Sequence, residues 1–286
     1  MRLADRVVFI TGASRGIGRA VALACAREGA HVVIAAKTEV VENPRLPGTI
    51  HDVAAEVVAL GRRALPLKLD VRDEAGCEAA IAKTIEHFGR IDALVNNAGY
   101  GSYGAIEDVP ISEARRQFEV NVFGLVRLCQ LVLPSMRGAR SGTIVNVSSM
   151  GGRIWMPIGG WYHATKYALE VLSDALRVEV RPFGVHVVVV QPGAIESEWS
   201  GIAAKTLRES SKGSVYGALS EPMARILEAY RSKASPDVVA DAVSLALNTA
   251  HPRRRYATPM QSKVYIFAHW LLPDWAWERL VAASVK

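Results

Sequence analysis

Short apolar, β-branched runs recur along the chain, and the stretches between them carry apolar positions at helical spacing. The runs near 6–10, 31–36, 64–70, 91–96, 142–148 and 185–191 predict strands, and 255–258 predicts a seventh. A helical pattern follows the first run as far as Ala30, and a long one covers 112–134. Strands alternating with helices predict an α/β fold: one doubly wound, parallel, seven-stranded sheet with helices on both faces, in a single domain. Ligands of such sheets bind outside the carboxyl ends of the strands. Gly12, Asn97, Ser149 and Gly193 all follow predicted strands.

A chain of 286 residues, half of them hydrophobic, can bury a large core. Its net charge of +6 suits capture of an anionic dinucleotide, or of an acyl thioester carrying phosphates. The densest basic run, Arg253-Arg254-Arg255, comes without a recognition motif, so no nucleic-acid partner is expected. Cys25, Cys77 and Cys129 lie in helical patterns without metal spacing, which predicts buried thiols and no metal site. No signal-peptide architecture and no 18-residue uninterrupted apolar run are present, so the expected location is cytoplasmic, without an integral membrane segment.

The candidate chemistry begins with Trp161-Tyr162-His163-Ala164-Thr165-Lys166. Tyr162 and Lys166 share a helix face at i and i+4. A phenol with a pKa of about 10 is a poor proton donor at neutral pH, and a neighbouring ammonium pulls that pKa down. Ser149 lies thirteen residues before Tyr162, at the end of a predicted strand. At the other end of the chain, Thr11-Gly12-Ala13-Ser14-Arg15-Gly16-Ile17-Gly18 joins a strand to a helix. Gly12 permits the tight turn, Gly16 lets backbone approach a pyrophosphate, and Gly18 lets the helix pack close, with the helix N-terminus facing the phosphates. Where a carboxylate would bind the ribose 2′-hydroxyl of NAD, about 20 residues on, the chain has Ala36 and then Lys37. Lys37, Arg15 and Ser14 favour a 2′-phosphate, so the expected cofactor is NADP(H).

These residues, together with Asp70-Val71, Asn96-Asn97-Ala98-Gly99, Asn121 and Pro192-Gly193, resemble the short-chain dehydrogenase/reductase family in order and spacing, over nearly the whole chain. The resemblance implies a Rossmann-type fold and an NADP-dependent oxidoreductase acting on CH–OH donors. It implies that Tyr162 donates or removes the substrate proton, that Lys166 tunes Tyr162 and binds the nicotinamide ribose, and that Ser149 holds the substrate oxygen. It places Asp70 at the adenine, Asn97 to Gly99 beside the cofactor, and Asn121 on a water relay from Lys166. Pro192, Gly193 and Ile195 would close over the nicotinamide, and Ser197 stands where the family often has threonine.

For substrate, the lid 194–235 offers Trp199, Leu207, Tyr216, Leu219, Met223 and Ile226, facing Tyr103, Met150, Ile154, Trp155 and Met156. Tyr100-Gly101-Ser102-Tyr103-Gly104 and Phe118-Glu119-Val120-Asn121-Val122-Phe123-Gly124 resemble hydroxysteroid and retinol-type dehydrogenases, which implies a lipophilic ketone or secondary alcohol. The alternatives are a 3-oxoacyl thioester reductase and a non-catalytic NADP(H)-binding regulator. Segment 38–51 resembles an insertion in hydroxysteroid dehydrogenase-like proteins and is expected at the adenosine phosphate or as an exposed loop. Beyond a domain at 1–259, residues 260–286 form a helical tail rich in tryptophan, expected to pack on the subunit or a partner protomer, with peripheral membrane contact as the alternative. The family implies a homodimer or homotetramer through helices around 112–134 and 162–182.

Overall fold

A computed structural model describes residues 3–41, 43, 47–196, 198–229 and 234–285. Seven strands, β1 (Val7–Thr11), β2 (His31–Ala36), β3 (Ala64–Lys68), β4 (Ala93–Asn96), β5 (Gly142–Val147), β6 (Val185–Pro192) and β7 (Arg255–Thr258), form one sheet. Their order is β3-β2-β1-β4-β5-β6-β7, and every pairing is parallel. β1 pairs with β2 on one side and β4 on the other, so the chain reverses its direction of travel across the sheet there. Loops leaving β1 and β4 diverge at such a switch point and open a crevice.

Alternate residues of each strand face opposite sides. Val8, Ile10, Val32 and Ile34 pack with α1 (Gly16–Arg27), α2 (Ile50–Ala59) and α9 (Asp237–Asn248). Val7, Phe9, Val33 and Leu94 pack with α3 (Glu74–Phe88), α5 (Gly124–Gly138) and α6 (Gly160–Val180). Cys25, Cys77 and Cys129 are buried as free thiols in these layers.

The long helix expected over 112–134 is a rod of 28 residues, Ile111–Gly138. It consists of α4 (Ile111–Phe118), a π turn at Glu119–Phe123, and α5. The rod passes through Pro134, where the sequence predicts its end. A proline removes one N–H from a helix interior, but Met136, buried against Gly142 one turn boundary later, carries the helix four residues further. Leu125, Leu128 and Val132 seat the rod on the sheet, as in a core helix.

After β6 the lid folds as α7 (Glu198–Ser210) and α8 (Gly217–Ala229), and the tail as α10 (Met260–Leu271) and α11 (Asp274–Ser284). Trp277 and Val281 of α11 are buried with Ile154, and Trp277 Nε1 donates to the Trp155 carbonyl at 3.3 Å. The tail therefore has an inner face packed on the subunit. Its outer face stays open: Met260, Val264, Phe267 and Leu271 recur at helical spacing and are exposed, as are Trp270 and Trp275.

Candidate active site

The turn after β1 is shaped by glycine. Gly12 and Gly16 adopt φ of 64° and 51°, the left-handed region that side chains disfavour. At Gly18 an added Cβ would lie 2.2 Å from the Gly12 carbonyl oxygen, so only hydrogen fits between α1 and the turn. Asn97 braces it: its Nδ2 donates to the carbonyls of Thr11 at 2.9 Å and Gly12 at 3.1 Å. The backbone amides of Asn97 and Ala98 donate to Thr11 Oγ1. Arg15, at the head of α1, makes no side-chain cap, and the first turn carries no acidic residue. That leaves an electropositive helix end aimed into a glycine cradle, the geometry that receives a pyrophosphate.

Beyond the cradle, β2 ends at Ala36 and three cations gather. Arg15 Nη2 donates to Thr38 Oγ1 at 2.6 Å. Lys37 Nζ lies 3.3 Å from Asp70 Oδ2, and Arg72 grips both Asp70 oxygens through Nε and Nη2. Arg72, then Lys37, hold the Asp70 carboxyl far below the usual carboxylate range. Asp70 thus serves as an anchor for two cations at this edge. Arg72 and Thr38 were not expected from the sequence; the sequence signal for Arg72 is its place two residues beyond Asp70, where a long side chain folds back onto the carboxylate. Within segment 38–51, Gly48 backs onto Ser14, where a Cβ would come within 2.6 Å of the Ser14 carbonyl oxygen.

Across the crevice, α6 presents Tyr162 and Lys166 on one face. Lys166 is buried, and its Nζ donates to the Val147 carbonyl at 3.0 Å. Burial lowers its pKa from 10.5 to about 8, against the opposing field of Glu170 one turn further along. Glu170 is itself held by Gln191 Nε2 at 2.9 Å and Arg255 Nε at 2.8 Å. The Tyr162 ring stacks on Tyr103 at 5.5 Å and meets Trp199 at 5.4 Å. Ser149 Oγ accepts from the Gly151 amide at 3.0 Å and lies 3.5 Å from the Pro192 carbonyl. Asn121, in the π turn, has its amide committed to backbone and core. It accepts from Tyr100 N, donates to the Tyr100 carbonyl at 2.9 Å, and donates to Thr165 Oγ1 at 3.1 Å. Its position is beneath the cleft, as a brace for the Tyr100 segment.

One cavity of about 900 Å³ runs from the cradle past Tyr162 to the tail. Gly12, Ser14, Arg15, Gly16, Ile17, Gly18, Lys37, Asp70, Val71, Asn97, Ala98 and Gly99 line its first half. Ser149, Met150, Tyr162, Lys166, Pro192, Gly193, Ile195 and Trp199 line the second. Ser197 lies outside the described residues. Trp155, expected at the substrate, does not line the cavity. The 3-10 turn Met150–Gly152 sets the phase of the following segment so that Ile154 and Met156 face the cavity and Trp155 is exposed. Of the lid residues, Met223 and Ile226 line it, whereas Leu207 is sealed between α7 and α8, Tyr216 donates to Glu107, and Leu219 faces outward. The sequence reading missed Tyr265, Trp277, Leu280 and Ser284, through which the tail completes the cleft wall.

Residues 6–207 match the short chain dehydrogenase family. A 3-ketodihydrosphingosine reductase of Bacteroides thetaiotaomicron is 38% identical over 188 residues, 66% of this chain and 63% of its own length. Among solved structures, a metagenomic short-chain oxidoreductase in complex with NADP is 28% identical with a TM-score of 0.71, covering 90% of this chain and 98% of that one. A short-chain dehydrogenase/reductase of Burkholderia phymatum in complex with NAD is 26% identical with a TM-score of 0.80, covering 93% of each chain.

Proposed function

The chain belongs to the short-chain dehydrogenase family, and on that footing we propose an NADP(H)-dependent oxidoreductase that interconverts a carbonyl and a secondary alcohol on a lipophilic substrate. The observation that carries this reading is the continuity of one cavity from a glycine cradle to Tyr162 and on to Met150, Ile154, Met156, Trp199, Tyr265 and Trp277. The cradle fits a dinucleotide, because side chains are excluded at Gly12 and Gly18 and the head of α1 is uncapped. NADP(H), when bound, supplies or accepts the hydride.

The residues of the chain do the rest. Tyr162 O–H gives its proton to the carbonyl oxygen in reduction and recovers it in oxidation. Ser149 Oγ, fixed by the Gly151 amide, turns its own proton toward that oxygen and stabilises the charge that develops there. Lys166 keeps a positive charge beside the phenol. The apolar walls exclude water and seat an alkyl or polycyclic body; the similarity to a relative named 3-ketodihydrosphingosine reductase supports this class.

The 2′-phosphate falls to Arg15 and Thr38, with Lys37 and Arg72 nearby. Both NADP and NAD occur among structural neighbours, so the basic edge, not the fold, makes the choice. Arg15→Ala is expected to weaken NADPH about tenfold and leave NADH within twofold, read by nucleotide fluorescence. The reaction itself is tested by absorbance at the nicotinamide band with long-chain 3-ketones, steroids, retinoids, 3-oxoacyl thioesters and short ketones. Fastest NADPH oxidation with a long-chain or polycyclic ketone is expected; a preference for NADH or for short polar ketones would sink the assignment. Absence of any turnover despite tight NADPH binding would favour a regulator.

We further propose self-association through α6 and the rod, whose Val171, Val178 and Phe123 are exposed. Val171 and Val178 stand two turns apart on one helix face. Sedimentation should give a dimer or tetramer that Val178→Asp dissociates; an unchanged mass for the variant would move the contact elsewhere.

A further inference from the structure

His163 directly follows Tyr162 yet is absorbed by none of the roles above. Its imidazole is buried, and both ring nitrogens meet backbone from the segment that follows Ser149. Nδ1 lies 2.9 Å from the Gly151 carbonyl, and Nε2 lies 3.2 Å from the Met156 amide. A carbonyl can only accept and an amide can only donate, so these two contacts assign a neutral ring with its proton on Nδ1, and the Ile154 backbone is a further partner of the ring. Two glycines make the seat. A Cβ at Gly151 would come within 2.9 Å of Nδ1, and one at Gly159 within 3.0 Å of Nε2.

The same Gly151 whose carbonyl takes the His163 proton donates its amide to Ser149 Oγ. Met156, held by the other nitrogen, lines the substrate cavity. We propose that His163 is a positioning residue that sets both halves of the substrate site, the Ser149 hydroxyl through Gly151 and the cleft wall through Met156. The inference rests on the reading of Ser149 and Tyr162 as the reacting pair. Burial lowers the imidazole pKa against the raising effect of its backbone bonds at Gly151 and Ile154, which favours the neutral ring.

The two bonds separate in substitution. His163→Asn places an amide nitrogen where Nδ1 was and keeps the Gly151 bond. His163→Gln places an amide oxygen where Nε2 was and keeps the Met156 bond. His163→Phe fills the seat and makes neither. With NADPH and a long-chain 3-ketone, the asparagine variant should keep kcat within twofold and raise KM about tenfold. The glutamine variant should lose about tenfold in kcat at unchanged KM, and the phenylalanine variant should show both losses. NADPH affinity should stay within twofold in all three.

Two spectra decide the matter without turnover. ¹⁵N resonances of the imidazole should show the neutral Nδ1–H form at pH 7.5, and the Gly151 amide resonance should move in the glutamine and phenylalanine variants but not with asparagine. If the wild type reduces no ketone, the functional reading fails, and these resonances alone uphold or overturn the positioning. A ring protonated on Nε2, an unmoved Gly151 amide, or kcat and KM changing together in proportion to melting temperature would overturn it.

Discussion

Tyr162→Phe is expected to lower kcat by about 10³–10⁴-fold, the upper range for loss of a general acid–base group, while NADPH affinity stays within twofold. The substitution is clean because the ring is held by its faces: Tyr103 stacks on one side and Trp199 closes another, so phenylalanine occupies the same space. Only the hydroxyl is lost, and with it the proton that must reach the carbonyl oxygen. Stopped-flow measurement of the chemical step, with nucleotide fluorescence for binding, separates the two effects. Activity within tenfold of wild type would mean that another group, with Ser149 the nearest, moves the proton.

Lys166→Met should abolish useful turnover, by roughly 10³-fold, and at the same time make the protein more stable at pH 7. Burial lowers the lysine pKa from 10.5 to about 8. Below pH 8 the folded and unfolded chains are both protonated, and the folded state bears the full cost of an ammonium in an apolar place. Between 8 and 10.5 the unfolded chain binds a proton that the folded chain does not, so the wild type gains stability as pH rises through that window. At about 1.4 kcal/mol for each tenfold in proton affinity, less roughly 1 kcal/mol for the bond to Val147, methionine should gain on the order of 2 kcal/mol at pH 7. For a chain of this size that is on the order of 5 °C in Tm. The advantage should shrink as pH approaches 10.5. Thermal melts at pH 7 and pH 10 check the sign; a variant that melts lower at pH 7 would mean that the ammonium stabilises the fold.

The glycine turn, the Tyr162–Lys166 pair and Ser149 were legible in the sequence because each is defined by spacing within one or two turns of chain. The sheet was legible for a similar reason, since each strand is a compact apolar run. What escaped depends on contacts between distant residues or on phase. Trp277 reaches the Trp155 carbonyl across 122 residues, and nothing local to residues 274–284 says that this face completes the cleft. Trp155 was misplaced because alternation through 153–156 depends on where the 3-10 turn after Ser149 ends. The end of the rod was misplaced at Pro134 because burial of Met136 overrides the local cost of proline. Lys37 and Asp70 were each legible, but their pairing with one another, and with Arg72, was not.

The π turn at Glu119–Phe123 gives chain length itself a role in the site. A π turn amounts to one extra residue accommodated in an α-helix. α5 keeps its register on the sheet and α4 its packing on α6, and the surplus residue is absorbed between them, where Asn121 turns inward to Tyr100. An unbroken α-helix of the same sequence would swing everything beyond the turn by about 100° around the axis, which is the rotation per residue at 3.6 residues per turn. Leu125, Leu128 and Val132 would then leave the sheet, or Asn121 would leave Tyr100. Deletions and insertions therefore act on this stretch differently from substitutions. A changed side chain alters one contact, whereas a changed count forces a choice between the packing of the rod and the brace beneath the cleft.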